Sequence, residues 1–285
     1  MPLVEQLVLG ILPALGVALV AFGAAWGIRR PSAGRSGTER LGLRGLAGTV
    51  ALSAGFLGSY VALQGWPPLP PITGTQALAL GVVLAGVVGI PPWRPLGGAV
   101  VSLAVAASVA VAMSRRLWGG YWDGVEGLAH VAAAAAGMLA LDLGLAHPAG
   151  RRAGLLPSLA LALVCCGGGF VLSAGGSALL GQLESALAAV LAAGCAAAVW
   201  NRDYRPGRGA VRVFAIAHGG SLAAGWWFAE VDPAALACLA AAPLAVRLDR
   251  LVAAPARVRG ALVLLVCLGL VALAAARVAG GGPGY

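Results

Sequence analysis

The chain has 285 residues, of which 60% are hydrophobic and only 10% charged, against about 25% charged residues in an ordinary soluble domain. An apolar excess of that size excludes a water-soluble core and calls for lipid around the chain. The formal net charge of +9 lies in short connections between apolar segments, so it points to orientation in a membrane and contact with anionic lipid, with no nucleic acid as a partner.

Ten apolar segments predict an all-α, polytopic transmembrane bundle, with helices at about 4–28, 44–64, 76–90, 96–114, 126–146, 154–174, 179–200, 211–229, 233–247 and 258–278. Most approach the ~20 residues that a spanning helix needs. Glu5 stands in front of the first segment where a signal peptide has basic residues, and the apolar run to Ile28 exceeds the ~7–15 residues of a signal h-region. The first segment is therefore expected to stay in the membrane. The third and ninth are short, and are expected to be tilted or re-entrant. Proline-rich stretches punctuate the connections, including Trp66 to Pro71, Pro91 to Pro95 and His147 to Arg152.

Every basic residue is Arg, and the order of the segments sorts them. The odd-numbered connections hold Arg29, Arg30, Arg35, Arg40 and Arg44, then Arg94, then Arg151 and Arg152, then Arg202, Arg205, Arg208 and Arg212, then Arg247, Arg250, Arg257 and Arg259. Only Arg115, Arg116 and Arg277 fall on the other side. Because cytoplasmic loops carry the positive excess, both termini are expected to be extracytoplasmic. All eight Trp fall at predicted helix ends or in loops, the headgroup level that the indole ring prefers. The Ala, Gly and Arg bias suggests a GC-rich bacterial genome, and hence a bacterial cytoplasmic (inner) membrane.

The whole chain reads as one membrane domain, which five-helix halves at 1–146 and 147–285 would make an inverted repeat. Its size and helix count resemble those of the drug/metabolite transporter families, whose cytoplasmic termini differ from the orientation read here. Faces rich in Gly and Ala, such as Ala132 to Gly137 and Ala192 to Ala198, allow close helix approach. They are candidate contacts with a second copy or with membrane-complex partners.

Absence of lysine removes Schiff-base and Walker-type chemistry. Cys165, Cys166, Cys195, Cys238 and Cys267 lie in apolar segments with no CxxC or Cys/His spacing, so they read as packing residues, with no metal or cofactor expected. Ionisable groups inside spans are costly and are the candidates for function. Glu184 reads as a proton- or cation-binding carboxylate with Gln182 and Ser185 beside it. His218 precedes Gly219, Gly220 and Ser221, which leave space for a ligand or a helix. Asp142 lies near the cytoplasmic pair Arg151 and Arg152, its expected ion-pair partners. Asp123, Glu126 and His130 follow spacings of three and four, and would form a cluster at an outer mouth if one helix carried all three.

Gly175 to Ala178 and Ala217 to Gly220 resemble the serine and histidine motifs of rhomboid intramembrane proteases. The resemblance implies a Ser177–His218 dyad within ~3.2 Å. Consecutive antiparallel segments put these residues at different depths, so no catalytic residue is assigned. The expectation is a small-solute or ion transporter lined by Glu184, His218 and Asp142, with an accessory subunit of a larger membrane complex as the alternative.

Overall fold

The structure is a computed structural model that describes residues 3–27, 37–91, 95–118, 120–149, 155–200, 204 and 206–280. Its helices are α1 (Leu3–Gly27), α2 (Gly37–Gln64), α3 (Gly74–Gly89), α4 (Pro95–Ser114), α5 (Gly124–Ala149), α6 (Leu155–Ala174), α7 (Ala178–Trp200), α8 (Arg208–Ala229), α9 (Pro233–Ala241), the single turn α10 (Leu248–Leu251) and α11 (Ala256–Gly280). A 3₁₀ stretch, Ala242–Arg247, joins α9 to α10. Among the described residues the only bridge outside helices is the isolated pairing of Trp118 with Trp122.

Segments rich in Ala, Leu and Val fold as helices because lipid offers the backbone no hydrogen-bond partner, and the helix satisfies its own groups. Among the described residues six are long and apolar enough to cross a membrane: Leu46–Gln64, Leu96–Ser114, Gly124–Ala146, Leu155–Ala174, Ala178–Trp200 and Ala256–Gly280. Ile11–Ala24, Gly74–Gly89 and Pro233–Arg247 are shorter apolar helices. Several starts carry side-chain caps. Thr73 and Gln76 form a reciprocal capping box at α3, Asp123 Oδ1 accepts from Glu126 N at 2.7 Å, and Asp232 accepts from Ala234 N at 3.1 Å. Each satisfies backbone donors that a helix start leaves open.

Helix α8 occupies the centre, packed by α2, α3, α5 and α7, and nearly every residue from Gly209 to Gly225 is buried. Protein rather than lipid surrounds it, and this lets it hold Arg212 and His218. Connections of like parity meet at the same end. Gly89 at the end of α3 abuts Gly209 at the start of α8, and Gly48 in the first half of α2 meets Tyr204 before α8. At the opposite end, Gly74 meets Phe228 and Gly175 meets Val231, and the rings of Trp122 and Trp227 touch at 5.5 Å.

Helices α6 and α7 come close at two glycines. A Cβ on Gly181 would lie 2.6 Å from the Gly169 carbonyl oxygen, and one on Gly169 would lie 2.9 Å from the Gly181 carbonyl oxygen. Neither obstacle can rotate away, so only glycine fits this crossing.

Two expectations change. The ninth segment is a helix broken into α9, a 3₁₀ stretch and α10, because Pro243 cannot donate the hydrogen bond that would continue α9. Arg212, read as a loop arginine, lies inside α8 with 2% of its surface exposed. Arg29, Arg30, Arg35, Arg94, Arg151, Arg152, Arg202, Arg205 and Trp93 lie outside the described residues, as do the side chains of Glu5, Trp26, Arg40, Arg44, His147 and Arg250.

Candidate functional site

The site begins with a proline. In a continuous α-helix the N–H of residue 243 would bond the carbonyl of Leu239, but Pro243 has no N–H, so that carbonyl is left free for another donor. His218, near the middle of α8, takes it: Nε2 lies 3.3 Å from Leu239 O. On the other side of the ring, Nδ1 lies 2.9 Å from Glu184 Oε2 of α7. Both side chains are fully buried.

The two contacts of the ring constrain where its protons can sit. A carbonyl oxygen only accepts, so Nε2 must carry a hydrogen. One further proton lies between Nδ1 and Oε2, on either the carboxyl or the imidazole. In both forms the pair has no net charge, which a low-dielectric interior tolerates far better than a lone carboxylate. Glu184 Oε1 remains without a hydrogen-bond partner, and an unpaired buried carboxylate oxygen costs roughly 1–3 kcal/mol. Function is a common reason for a protein to keep such an atom.

Two neighbours frame the pair. Helix α6 presents Gly168, where a Cβ would lie 3.3 Å from Glu184 Oε2 and 3.7 Å from His218 Cε1. Beside it is Cys165, also fully buried, and the ligand-type atoms of Cys165, Glu184 and His218 all fall within 4.8 Å of one another. Among the described residues this is the one such group of three. Phe214, one turn from His218 on α8, stacks on its ring at 5.2 Å. Phe214 also lines a small, mostly apolar cavity of about 30 Å³, with Leu161, Val190, Gly194 and Tyr204 among its other walls and room for one or two waters. Burial pushes the Tyr204 phenol well above its ordinary range, with the nearby Cys195 adding to the shift. At neutral pH the phenol in the cavity wall is therefore uncharged.

A second buried constellation ties three helices to α8. Arg212 Nε lies 3.7 Å from Asp142 Oδ2 of α5 and donates to Ser102 Oγ of α4 at 2.9 Å. Its other nitrogens donate to Val88 O of α3 at 3.3 Å and to Gly98 O of α4 at 3.2 Å. Ser102 donates a short hydrogen bond to Asp142. This is an enclosed structural clamp. Asp142 therefore pairs with Arg212, where Arg151 and Arg152 had been expected.

The remaining candidates separate. Gln182 is half-buried and, two residues from Glu184, leaves α7 on a face about 200° away. The Ser185 hydroxyl donates back to Gly181 O at 2.9 Å. Gly219 and Gly220 make room for neighbouring helices, against Met138 and Leu78. At the outer cluster Asp123 is the cap of α5, while His130 Nδ1 bonds the backbone carbonyl of Glu126 at 2.9 Å. The His130 ring lies between Trp122, at 4.4 Å, and Trp226, at 4.6 Å, in an aromatic packing role. Ser177 caps α7 by accepting from Leu180 N at 3.4 Å, and His218 bonds Glu184 in place of it.

No known protein family, curated protein or solved structure matches the chain.

Sequence reasoning singled out Glu184 and His218 separately and did not join them. It read Cys165 as a packing residue and Arg212 as a loop arginine, and did not single out Ser102. Their numbers are far apart in the chain, so no local spacing could bring them together. The legible signal was proline: Pro243 stands four residues after Leu239 and releases the carbonyl that fixes His218. Pro148 likewise stands four residues after Gly144, whose carbonyl accepts from Arg247 Nε at 2.7 Å.

Proposed function

We propose that this chain is a ten-span carrier of protons or small cations in a bacterial cytoplasmic membrane, with both termini extracytoplasmic and the Glu184–His218 pair as its binding site. The observation that carries the reading is the pair itself: the Glu184 carboxyl and the His218 imidazole lie 2.9 Å apart in a fully buried position, with one carboxylate oxygen unsatisfied. Charged groups in this setting are expensive and mark ion or proton pathways. The narrow cavity beneath Phe214 supplies the approach from the Arg-rich end, with Phe214 as the barrier between cavity and pair. Alternation of the connections between the two ends of the bundle supports the ten spans, and the arginines support the orientation.

The function follows from exchange of a proton at this pair. With the proton bound the pair is neutral. Release leaves a carboxylate facing an imidazole lone pair, which is unfavourable in a dry interior unless a cation takes the proton's place. Binding and release are then coupled to opening of the helices that seal the site, as alternating access requires.

The test is uptake by the reconstituted protein of a panel of mono- and divalent cations and small neutral solutes under an imposed pH gradient. Wild-type protein is expected to accumulate at least one of them, and Glu184→Gln, equally folded and inserted, is expected to accumulate none. Equal uptake by both proteins refutes the assignment. The complete sealing of Glu184 and His218 favours the accessory-subunit reading as a second possibility. That reading predicts no uptake of any solute and co-purification with a stoichiometric membrane partner.

A further inference from the structure

We propose that Cys165, Glu184 and His218 form a binding site for a divalent transition-metal ion of zinc-like character. The inference deepens the carrier reading, and rests on it only for the claim that this metal is transported.

Four observations converge. First, the three residues come from three helices, α6, α7 and α8, and their thiol, carboxyl and imidazole atoms lie within 4.8 Å of one another. Bonds of about 2.0–2.3 Å to a tetrahedral ion set ligand separations of ~3.5 Å, so a pair at the 4.8 Å limit must close by about 1 Å while His218 Nδ1 and Glu184 Oε2, now 2.9 Å apart, must open, both within the reach of side-chain rotation. Second, the histidine is prepared as a ligand. Its Nε2–H is held by the Leu239 carbonyl, the backbone partner that metal-bound histidines usually have on their second nitrogen, and this aims the Nδ1 lone pair at the site. Third, Glu184 Oε1 is fully buried and has no partner, so a bound ion would satisfy it, in exchange for the hydrogen bond between Oε2 and Nδ1.

Charge is the fourth, and it selects the ion. A dication bound to one thiolate, one carboxylate and one neutral imidazole gives a complex of zero net charge, whereas a monocation leaves it negative in a low-dielectric interior. The mixed sulfur, nitrogen and oxygen set suits zinc-like ions and disfavours calcium and magnesium, which prefer oxygen alone. Three protein ligands leave a fourth position open, as in sites where the ion is worked on or exchanged.

Binding balances as follows. The ion enters as M²⁺, the Cys165 thiol loses its proton, and the proton shared by Glu184 and His218 leaves, so each ion bound releases two protons to solution. Gly168 of α6 adds no side chain beside Glu184 Oε2 and His218 Cε1.

The experiment uses the full-length protein in detergent micelles with Co²⁺ as the spectroscopic probe, together with the zinc content of protein purified from zinc-supplemented cells. One Co²⁺ per chain is expected, with tetrahedral visible bands and a sulfur-to-cobalt charge-transfer band. Two protons released per ion are expected in weakly buffered solution. Cys165→Ser is expected to lose the charge-transfer band, Glu184→Gln and His218→Asn to lose binding, and Cys166→Ser to behave as wild type. Pro243→Ala restores an N–H that competes for Leu239 O, and is expected to weaken binding by roughly 10–100-fold. Thermal unfolding of each variant in the same micelles shows whether the fold survives. Absence of both bound Co²⁺ and copurified zinc in folded wild-type protein overturns the proposal, and so does a charge-transfer band that persists in Cys165→Ser. If metal binding fails while Glu184→Gln still blocks uptake of another cation, the carrier reading stands and this inference falls. Metal bound without any transport upholds the site and refutes the carrier.

Discussion

Cutting the clamp around Arg212 measures how much of the bundle depends on buried polar contacts. Arg212→Met removes the cation facing Asp142 at 3.7 Å and the donors to Ser102, Val88 and Gly98. The Asp142 carboxylate then keeps the Ser102 hydroxyl as its hydrogen-bond donor, while Asp142 Oδ1 already has no partner. Removing one member of a buried pair costs about 3–5 kcal/mol, mostly because the other is left uncompensated. The lost bonds to two carbonyls lie within that figure, since they belong to the same guanidinium. The double variant Asp142→Leu with Arg212→Met removes both charges and is expected within about 1–2 kcal/mol of wild type, since apolar replacements of buried pairs are often neutral. The assay is a double-mutant cycle of reversible unfolding in mixed micelles. A single substitution costing under about 1 kcal/mol, or a double variant whose cost is the sum of the singles, refutes the clamp as described.

Further expectations concern Pro243, two glycines and the orientation of the C-terminus. Pro243→Ala is expected to reduce cation binding or transport at His218 while changing stability by no more than about 1–2 kcal/mol, because it removes one acceptor but repairs one helix; unchanged function in a folded variant contradicts the role given to the Leu239 carbonyl. Gly181→Ala is expected to destabilise by about 1–3 kcal/mol because its Cβ meets the Gly169 backbone. Gly137→Ala, where no atom lies within 4 Å of the added Cβ, is expected to be neutral or slightly stabilising, and equal effects in the two, measured by thermal unfolding, contradict the crossing. An alkaline phosphatase fused after Tyr285 is expected to be active and a fused fluorescent protein dark, as an extracytoplasmic C-terminus requires; the reverse pattern inverts the orientation.

Much of the architecture was legible because hydropathy and punctuation are local. All ten apolar segments fold as helices near the expected positions, since each reports its own need for lipid or for burial. The ninth failed as a continuous helix at Pro243, a residue whose effect was readable but was weighed only at helix ends. Arg212 was misread for a physical reason: a charge near a helix start looks like a loop residue until α5 is known to place Asp142 opposite it. Glu184 and His218 were legible as costly charges. Their union was not, because Glu184 and His218 come from different helices and no spacing in the sequence reports how α7 packs against α8. Cys165 read as a packing residue for the same reason, as its neighbours come from other helices.

The most direct measurement is proton movement into liposomes that contain the purified protein and a trapped pH dye, under an inward gradient of the cation found by the uptake panel. The account predicts that cation entry drives protons out at a fixed stoichiometry in wild-type protein, and that Glu184→Gln and His218→Asn abolish both fluxes together. Cation entry that persists in either variant, or that moves no protons in wild type, contradicts the claim that the buried pair exchanges its proton for the transported ion.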